Sequence, residues 1–200
     1  MPLSAVKYYQ REGLLPQGEK SAPNQTSYDQ AHVQRVRLIR ALLGTGGLSI
    51  SATKDVIAAL DTTSLPEVFS VAQHAMSTPR TSEPEPSPES RQRIVHLAQS
   101  QGWAFTGDNA GIDAAARALD GLAAIGFDAP DAYLASYAAA ASTAAAADLK
   151  ALISLPTPAQ RTELMVVGSV LGDPLFAGLR RLAQEDATHD RFTIEPKAEQ

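Results

Sequence analysis

A cluster of aromatic and basic side chains lies near the amino end of the chain, formed by Lys7, Tyr8, Tyr9 and Arg11. Lysine and arginine can neutralise phosphate charge, and tyrosine offers a flat ring with a hydroxyl donor. The surrounding residues predict one helix that ends at Gly13, followed by Leu14 and Leu15 for the core. On such a helix the four side chains would lie on an exposed arc, and that surface is suited to contact with nucleic acid.

The net charge of −5 is unevenly distributed along the 200 residues. The first 60 residues carry seven basic and four acidic side chains, and the remaining 140 carry ten basic and eighteen acidic ones. A basic amino-terminal region on an acidic remainder indicates that only the former approaches a polyanion.

Two helices joined by a glycine turn are predicted to support this segment. Asp29 is the expected cap of the first, whose apolar residues recur at spacings of three and four: Val33, Val36, Ile39, Leu42 and Leu43. Glycines 44, 46 and 47 end it, and Ser49 begins a shorter helix with Val56, Ile57 and Leu60 facing inward. A further helix is predicted over Glu67–Met76.

Four prolines between Ser77 and Ser90 predict an extended linker, and hence a division into residues 1–76, a linker at 77–90, a helical domain at 91–190 and a disordered tail at 191–200. Beyond the linker the pattern predicts five helices, at about Ser90–Gln101, Ile112–Ile125, Asp131–Ile153, Pro158–Leu171 and Pro174–Ala187. The alanine tract 138–147 predicts a tightly packed bundle helix. The fold class is therefore mainly α.

Composition excludes several classes of function. The chain has no cysteine, so it has no disulfide, no thiolate metal site and no cysteine nucleophile. The four histidines are tens of residues apart, and Ser51–Lys54 matches a serine-x-x-lysine motif without its companion motifs. No catalytic residue, metal site or cofactor is predicted. The apolar stretch Tyr137–Ala147 is too short to span a bilayer, so a cytoplasmic location is expected.

Residues 5–16 resemble the recognition helix of the MerR family of bacterial transcription regulators, which has a basic residue, an aromatic pair, a second basic residue and then Gly-Leu-Leu or Gly-Leu-Ile. The resemblance continues through residues 24–29, which are similar to the family's wing, and through the helix pair from Val33 to Leu60. It covers about sixty residues and implies a winged helix-turn-helix. The part beyond the linker is similar to the all-helical companion domain of actinobacterial regulators.

The sequence departs from the family pattern at two positions. The family begins with a further helix and turn, whereas Met1 falls almost at the start of the recognition helix, so a helix-turn-helix without its first helix is expected. Ser27 stands where the family usually has arginine, which removes one expected phosphate contact. A second hypothesis is therefore a helical ligand-binding or protein-interaction module with impaired DNA binding.

The resemblance implies a homodimer that binds a promoter operator in double-stranded DNA, distorts it, and so acts indirectly on RNA polymerase. The expected DNA contacts are Lys7, Tyr8, Tyr9, Arg11, Asn24, Gln25, Thr26, Ser27 and Tyr28. Because the predicted helix at Glu67–Met76 is short for the family's coiled coil, the helical domain is expected to supply much of the dimer contact.

The effector is expected to be a small organic molecule, because the family's metal and redox sensors use cysteines. Its candidate ligands are aromatic side chains of the helical domain: Trp103, Phe105, Phe127, Tyr133, Tyr137 and Phe176. The favoured interpretation is that these side chains fill the domain core, with Trp103 at a joint between helices, and ligand binding is the alternative.

Overall fold

The computed structural model describes residues 2–22, 25–62, 71–76 and 84–191, and the chain is mainly α, as the sequence predicts. We call the described residues up to 76 the head and residues 84–191 the body. The head comprises α1 (Leu3–Arg11), β1 (Glu19–Ala22), β2 (Gln25–Ser27), α2 (Gln30–Arg40), a π-helical turn (Ala41–Thr45), α3 (Ile50–Thr62) and α4, which is described over 71–76. The body comprises α5 (Pro88–Ser100), α6 (Ala110–Ala124), α7 (Asp131–Ile153) and α8 (Pro158–Arg191).

The predicted helix starts in the head are confirmed by their hydrogen bonds. Asp29 Oδ1 accepts from the backbone N–H of His32 at 2.9 Å, and Ser49 Oγ accepts from that of Ala52 at 3.1 Å. These side chains satisfy donors that the first helical turn leaves unpaired. After α1, Gly13 adopts φ +73°, a conformation that favours glycine and lets the chain turn towards the core.

The head has a compact core in which several side chains are almost completely buried, among them Leu14, Ile39, Leu42 and Val56. The expected apolar stripe of α2 holds except at Val33, which is 40% exposed. Val33 lies in the first turn of α2, one turn before Val36 reaches the core, and its predicted core role is therefore wrong.

Ion pairs and hydrogen bonds fasten α5 to its neighbours in the body. Arg91 Nε lies 2.6 Å from Asp113 of α6, and Arg93 lies 2.7 Å from Asp128 and 3.3 Å from Asp131 before and at the start of α7. The backbone N–H and hydroxyl of Ser87 both donate to Asp120, at 2.7 and 2.6 Å. Asp113, Asp120, Asp128 and Asp131 thus link α5 to α6 and to the start of α7.

The described part of α4 confirms helix at 71–76, and the rest of the predicted Glu67–Met76 helix lies outside the described residues. The same is true of positions 77–83 of the proline-rich segment and of 192–200. Residues 84–87 are not helical, and α5 begins at Pro88 with Ser87 as its cap.

The helix α8 is continuous over 34 residues, so the prediction of two helices separated at Asp173-Pro174 is wrong. A proline inside a helix removes one backbone hydrogen bond. Packing on both sides of Pro174 offsets this cost, because Val166 and Val170 lie in the head core while Phe176 lies against the body. Tertiary contacts therefore override a local stop signal.

The head core is completed by α8. Val166 and Val170 are 0% and 1% exposed and belong to the same buried cluster as Leu14 and Ile39. A Cβ atom placed on Gly46 would lie 2.3 Å from Val170 Cγ1, so only glycine permits this approach. Residues more than 100 positions apart thus build one core.

By length and composition alone, residues 158–189 of α8 could cross a membrane, since an 18-residue window there has a mean hydropathy of 1.3. Only 11% of that window is buried. Such evidence is weak, because a long apolar helix that packs on a soluble core passes the same test, and Val166 and Val170 do pack on the head core.

Candidate nucleic-acid interface

The exposed side of α1 carries the basic and aromatic side chains that the sequence singles out. Lys7 is exposed, and the side chain of Arg11 is 72% exposed. The guanidinium carbon of Arg11 lies 5.2 Å from the ring centroid of Tyr8, within the range of a cation–π contact. Tyr8 is itself 36% exposed. Arg11 follows Lys7 by four residues and Tyr8 by three, so it neighbours both on the helix surface, and the three side chains share one side of α1.

Tyr9 has a different environment from Tyr8. Its side chain is half-buried and packs against the head core, and its carbonyl accepts from the backbone N–H of Leu14 at 2.9 Å and Leu15 at 3.2 Å. Tyr9 therefore anchors α1, and its ring is less available to a ligand than that of Tyr8.

A two-stranded antiparallel hairpin follows α1, with Glu19 opposite Ser27 and Ala22 opposite Gln25. The hydroxyl of Ser27 donates to the carbonyl of Glu19 at 3.4 Å, and Thr26 and Ser27 are exposed. Asn24, predicted to contact DNA, lies outside the described residues, and Gln25 is placed only by the strand pairing.

Gly18 permits the hairpin to close against itself. A Cβ atom at this position would lie 2.5 Å from the carbonyl oxygen of Ser27 and 2.9 Å from Tyr28 Cε1. Both distances are shorter than a real Cβ contact allows, so the strand ends meet only because residue 18 has no side chain.

Two residues that sequence reasoning missed position the end of the hairpin. Gln10 Nε2 donates to the carbonyl of Pro16 at 3.1 Å and to the hydroxyl of Tyr28 at 3.5 Å. The ring of Tyr28 also meets that of His32 edge to face, with centroids 5.4 Å apart. No local motif marks Gln10, because its partners Pro16 and Tyr28 lie outside α1, whereas His32 contacts a residue only four positions earlier in the chain.

Some basic side chains of the head lie beside a carboxylate, and others do not. Glu12 lies 3.6 Å from Arg11 Nε and 3.4 Å from Lys54 Nζ, and so offsets part of the positive charge at the end of α1. Arg37 and Arg40 are exposed and line an open depression, and no described carboxylate lies within 4.0 Å of either. The hydrogen bond from the His32 amide, followed by that from its ring, lowers the pKa of Asp29.

Five of the six predicted ligand-binding aromatics line a cavity of about 720 Å³ in the body: Trp103, Phe105, Tyr133, Tyr137 and Phe176. The sixth, Phe127, does not line it and instead packs edge to face on Tyr133 at 5.5 Å. Phe127 lies on the loop between α6 and α7 and is 41% exposed.

A hydrogen-bonded chain lies at one side of this cavity. The hydroxyl of Tyr133 donates to that of Tyr137 at 3.1 Å, and Arg180 donates to the same oxygen from Nε and Nη2 at 3.0 and 2.6 Å. The hydrogen bond to Tyr137, reinforced by burial, raises the pKa of Tyr133 above its ordinary value. On another wall, Trp103 Nε1 donates to Ser142 Oγ at 3.2 Å.

The chain is mainly helical, and α1 exposes basic and aromatic side chains on one side. Residues 1–60 match the family described as MerR helix-turn-helix family regulatory protein. The chain therefore carries a MerR-family helix-turn-helix domain in residues 1–60.

A comparison with solved structures covers nearly the whole chain. The crystal structure of a proposed transcriptional regulator from Streptomyces coelicolor A3(2) superposes with a TM-score of 0.68 and 26% sequence identity, over 97% of this chain and 93% of that one. No curated protein sequence matches the chain significantly. Together the family match and this neighbour support a DNA-binding transcriptional regulator.

Proposed function

We propose that this protein is a homodimeric transcription regulator that binds promoter DNA through α1 and the β1–β2 hairpin and responds to a small organic effector. The observation that carries the proposal is the shared exposure of Lys7, Tyr8 and Arg11 on one side of α1. A helix with its cations on one side can enter a major groove and pair with phosphates or with the acceptor atoms of guanine.

The hairpin supports this proposal as a wing beside α1. Its exposed hydroxyl-bearing residues, Thr26 and Ser27, could donate to backbone phosphates, and Gln10 fixes Tyr28 relative to α1. Such a wing contributes positioning contacts and little sequence information, which leaves base recognition to Lys7 and Arg11.

Dimerisation is supported by an apolar stripe on α8. Leu175, Leu179 and Leu182 recur at spacings of four and three, and they are 64%, 56% and 64% exposed. Leucines at this period form a seam that a second helix can cover. A dimer formed there would present two α1 helices to half-sites about one helical turn of DNA apart.

We infer that transcription is controlled through the shape of the promoter. Bending a short duplex costs on the order of a few kcal/mol. An effector that favours one dimer state by a similar amount would therefore shift the population of distorted promoters that RNA polymerase meets.

Duplex binding by the full chain tests the DNA contacts. Fluorescence anisotropy with its own upstream region, repeated at several salt concentrations, should show that Lys7→Ala and Arg11→Ala weaken binding and each reduce the salt slope by about one. Lys150→Ala and Arg181→Ala, which remove exposed cations from the body, are matched controls and should leave both quantities unchanged. Equal effects of head and body variants would contradict the proposed interface.

The dimer has a separate test. Leu179→Asp places a charge in the leucine stripe and should convert the chain to a monomer in sedimentation velocity. Ile125→Asp introduces the same charge at a side chain that is 79% exposed and outside the stripe, and should leave the mass unchanged. A wild-type monomer at micromolar concentration would remove this part of the proposal.

A second candidate function is a ligand-binding or interaction module that no longer holds DNA. The large body cavity favours it, because that site is complete without the head's exposed cations. The same anisotropy experiment distinguishes the two, since this second function predicts no salt-sensitive affinity for any duplex.

A further inference from the structure

The body cavity is lined almost entirely by apolar groups. Its 22 lining residues come from α4 to α8 and the adjoining loops, and none of them is Asp, Glu, Lys or Arg. Its volume of about 720 Å³ lies within the range of small-molecule sites. A charged ligand would lose its hydration there without gaining a charged partner in the wall, so the lining selects against charge.

Small side chains create the space. Seven of the lining residues are alanines, and three of them, Ala138, Ala141 and Ala145, recur along one side of α7. The sequence predicted tight helix packing for this tract, yet Ala141 and Ala145 are exposed along the cavity. The small alanine side chains therefore leave space between α7 and the rings of Trp103 and Phe105, and the helices do not pack tightly along this tract.

The polar side chains of the lining are already paired with one another. Trp103 donates to Ser142, Tyr133 donates to Tyr137, and Asn109 Nδ2 donates to Gln73 Oε1 at 3.4 Å. Within the described residues, no buried side-chain nitrogen or oxygen of the lining is left without a hydrogen-bond partner. A site with few unmet polar groups favours a ligand that makes mostly apolar and ring-stacking contacts.

We propose that this cavity binds a neutral, predominantly apolar molecule with two or more fused or linked aromatic rings. Trp103, Phe105 and Tyr137 supply aromatic rings, and Ile112, Leu119 and Leu134 supply aliphatic wall. In the proposed function, the effector belongs to this chemical class. Only the regulatory role of the ligand rests on the proposed function. The binding itself is independent of DNA.

A matched pair of dyes tests both the site and the charge selection. N-phenyl-1-naphthylamine is neutral, and 8-anilinonaphthalene-1-sulfonate has the same rings with an added sulfonate. Titrated into the full chain without DNA, the neutral dye should bind saturably at one site per chain and quench Trp103, the single tryptophan. It should bind at least tenfold more tightly than the sulfonate. Equal or tighter binding of the sulfonate would overturn the assignment to neutral ligands.

Variants on α7 locate the dye. Ala141→Phe fills the cavity and should weaken binding of the neutral dye at least tenfold. Ala147→Phe adds the same side chain at an exposed residue of α7 that does not line the cavity, and should change affinity less than twofold. Ala118→Leu, on the α6 wall, provides a second filling variant, and circular dichroism checks the fold of each. Unchanged binding in a folded filling variant would overturn the proposal.

Sedimentation velocity with saturating neutral dye tests whether a second copy of the chain, in place of a small molecule, occupies the cavity. If the cavity takes a small molecule, the dye should leave the sedimentation coefficient of the protein unchanged. If a second copy of the chain fills it, the dye should dissociate the assembly, and the proposal would be overturned. Loss of DNA binding with intact dye binding would refute the proposed function and leave this site in place.

Discussion

The head and the body bury their apolar side chains in different ways. In the head, Leu14, Ile39, Leu42 and Val56 are at most 1% exposed and belong to one continuous cluster. In the body, a small cluster of Leu119, Ala129 and Leu134 lies beside a cavity of about 720 Å³. Within this body cluster, Ala129 is the most buried residue, at 2% exposure.

The two kinds of packing fit the functions that we propose for the two regions. A surface that reads DNA must keep a few side chains in fixed relative positions, and a close-packed core of large aliphatic residues provides that rigidity. A region that accepts a ligand must leave space, and small alanines beside aromatic walls provide it. The shared helix α8 lies in both, with Val170 in the head core and Phe176 at the cavity, six residues or about 9 Å apart.

The largest expected effect comes from opening the head core. Ile39→Ala removes a completely buried side chain and should lower the free energy of unfolding by about 2–5 kcal/mol, because the rigid surroundings cannot collapse into the space. Leu134→Ala in the body, next to an existing cavity, should cost less. Urea denaturation measures both, and equal losses would show that the two regions are packed alike.

Disrupting the contact between α8 and the head should lower the free energy of unfolding by a somewhat smaller amount. Gly46→Ala forces a Cβ atom against Val170 and the carbonyl of Leu42, and should destabilise the fold by about 1–3 kcal/mol. Val170→Ala removes the clashing methyl group, so the double variant should be more stable than the sum of the single variants predicts. Strict additivity in this cycle would argue that α8 does not pack on the head.

Hairpin geometry affects DNA binding more than global stability. Gly18→Ala places a Cβ atom 2.5 Å from the carbonyl oxygen of Ser27, so the strands must separate. We expect a severalfold weaker affinity for the operator with a nearly unchanged melting temperature. Gly107→Ala, where a Cβ atom meets nothing within 4 Å, is the matched control in the body. A Gly18 variant with full affinity would exclude the hairpin from the interface.

The smallest effect is a pH dependence in the body. Hydrogen bonds from Ser87 lower the pKa of Asp120 below its ordinary value of 3.8. A lowered folded pKa stabilises the protein above that ordinary value, and the contribution is lost as pH falls through the folded pKa. Asp120→Asn should therefore be less stable than wild type at pH 7, and the gap should narrow below about pH 4. A gap that is constant from pH 7 to pH 3 would show that ionisation of Asp120 does not matter.

Local signals in the sequence correctly predicted the helix starts after Asp29 and Ser49 and the exposure of Lys7 and Arg11, but they also predicted a start at Pro174 that the structure lacks. Asp29 and Ser49 cap their helices, since capping depends on residues only three positions apart. The exposure of Lys7 and Arg11 follows equally from spacing on one helix. Position 9 was less predictable, because whether a tyrosine faces solvent or core depends on what packs beside it.

The amino-acid order by itself determined the mainly helical fold, the head's basic character and its MerR-type helix-turn-helix motif, because each depends on residues close together in the chain. Tertiary structure alone decided that α8 passes unbroken through Pro174, that Val166 and Val170 complete a core begun at Leu14, and that an alanine tract borders a cavity. These features arise from contacts between residues far apart in the chain, whose packing free energy exceeds the local preferences that sequence patterns record.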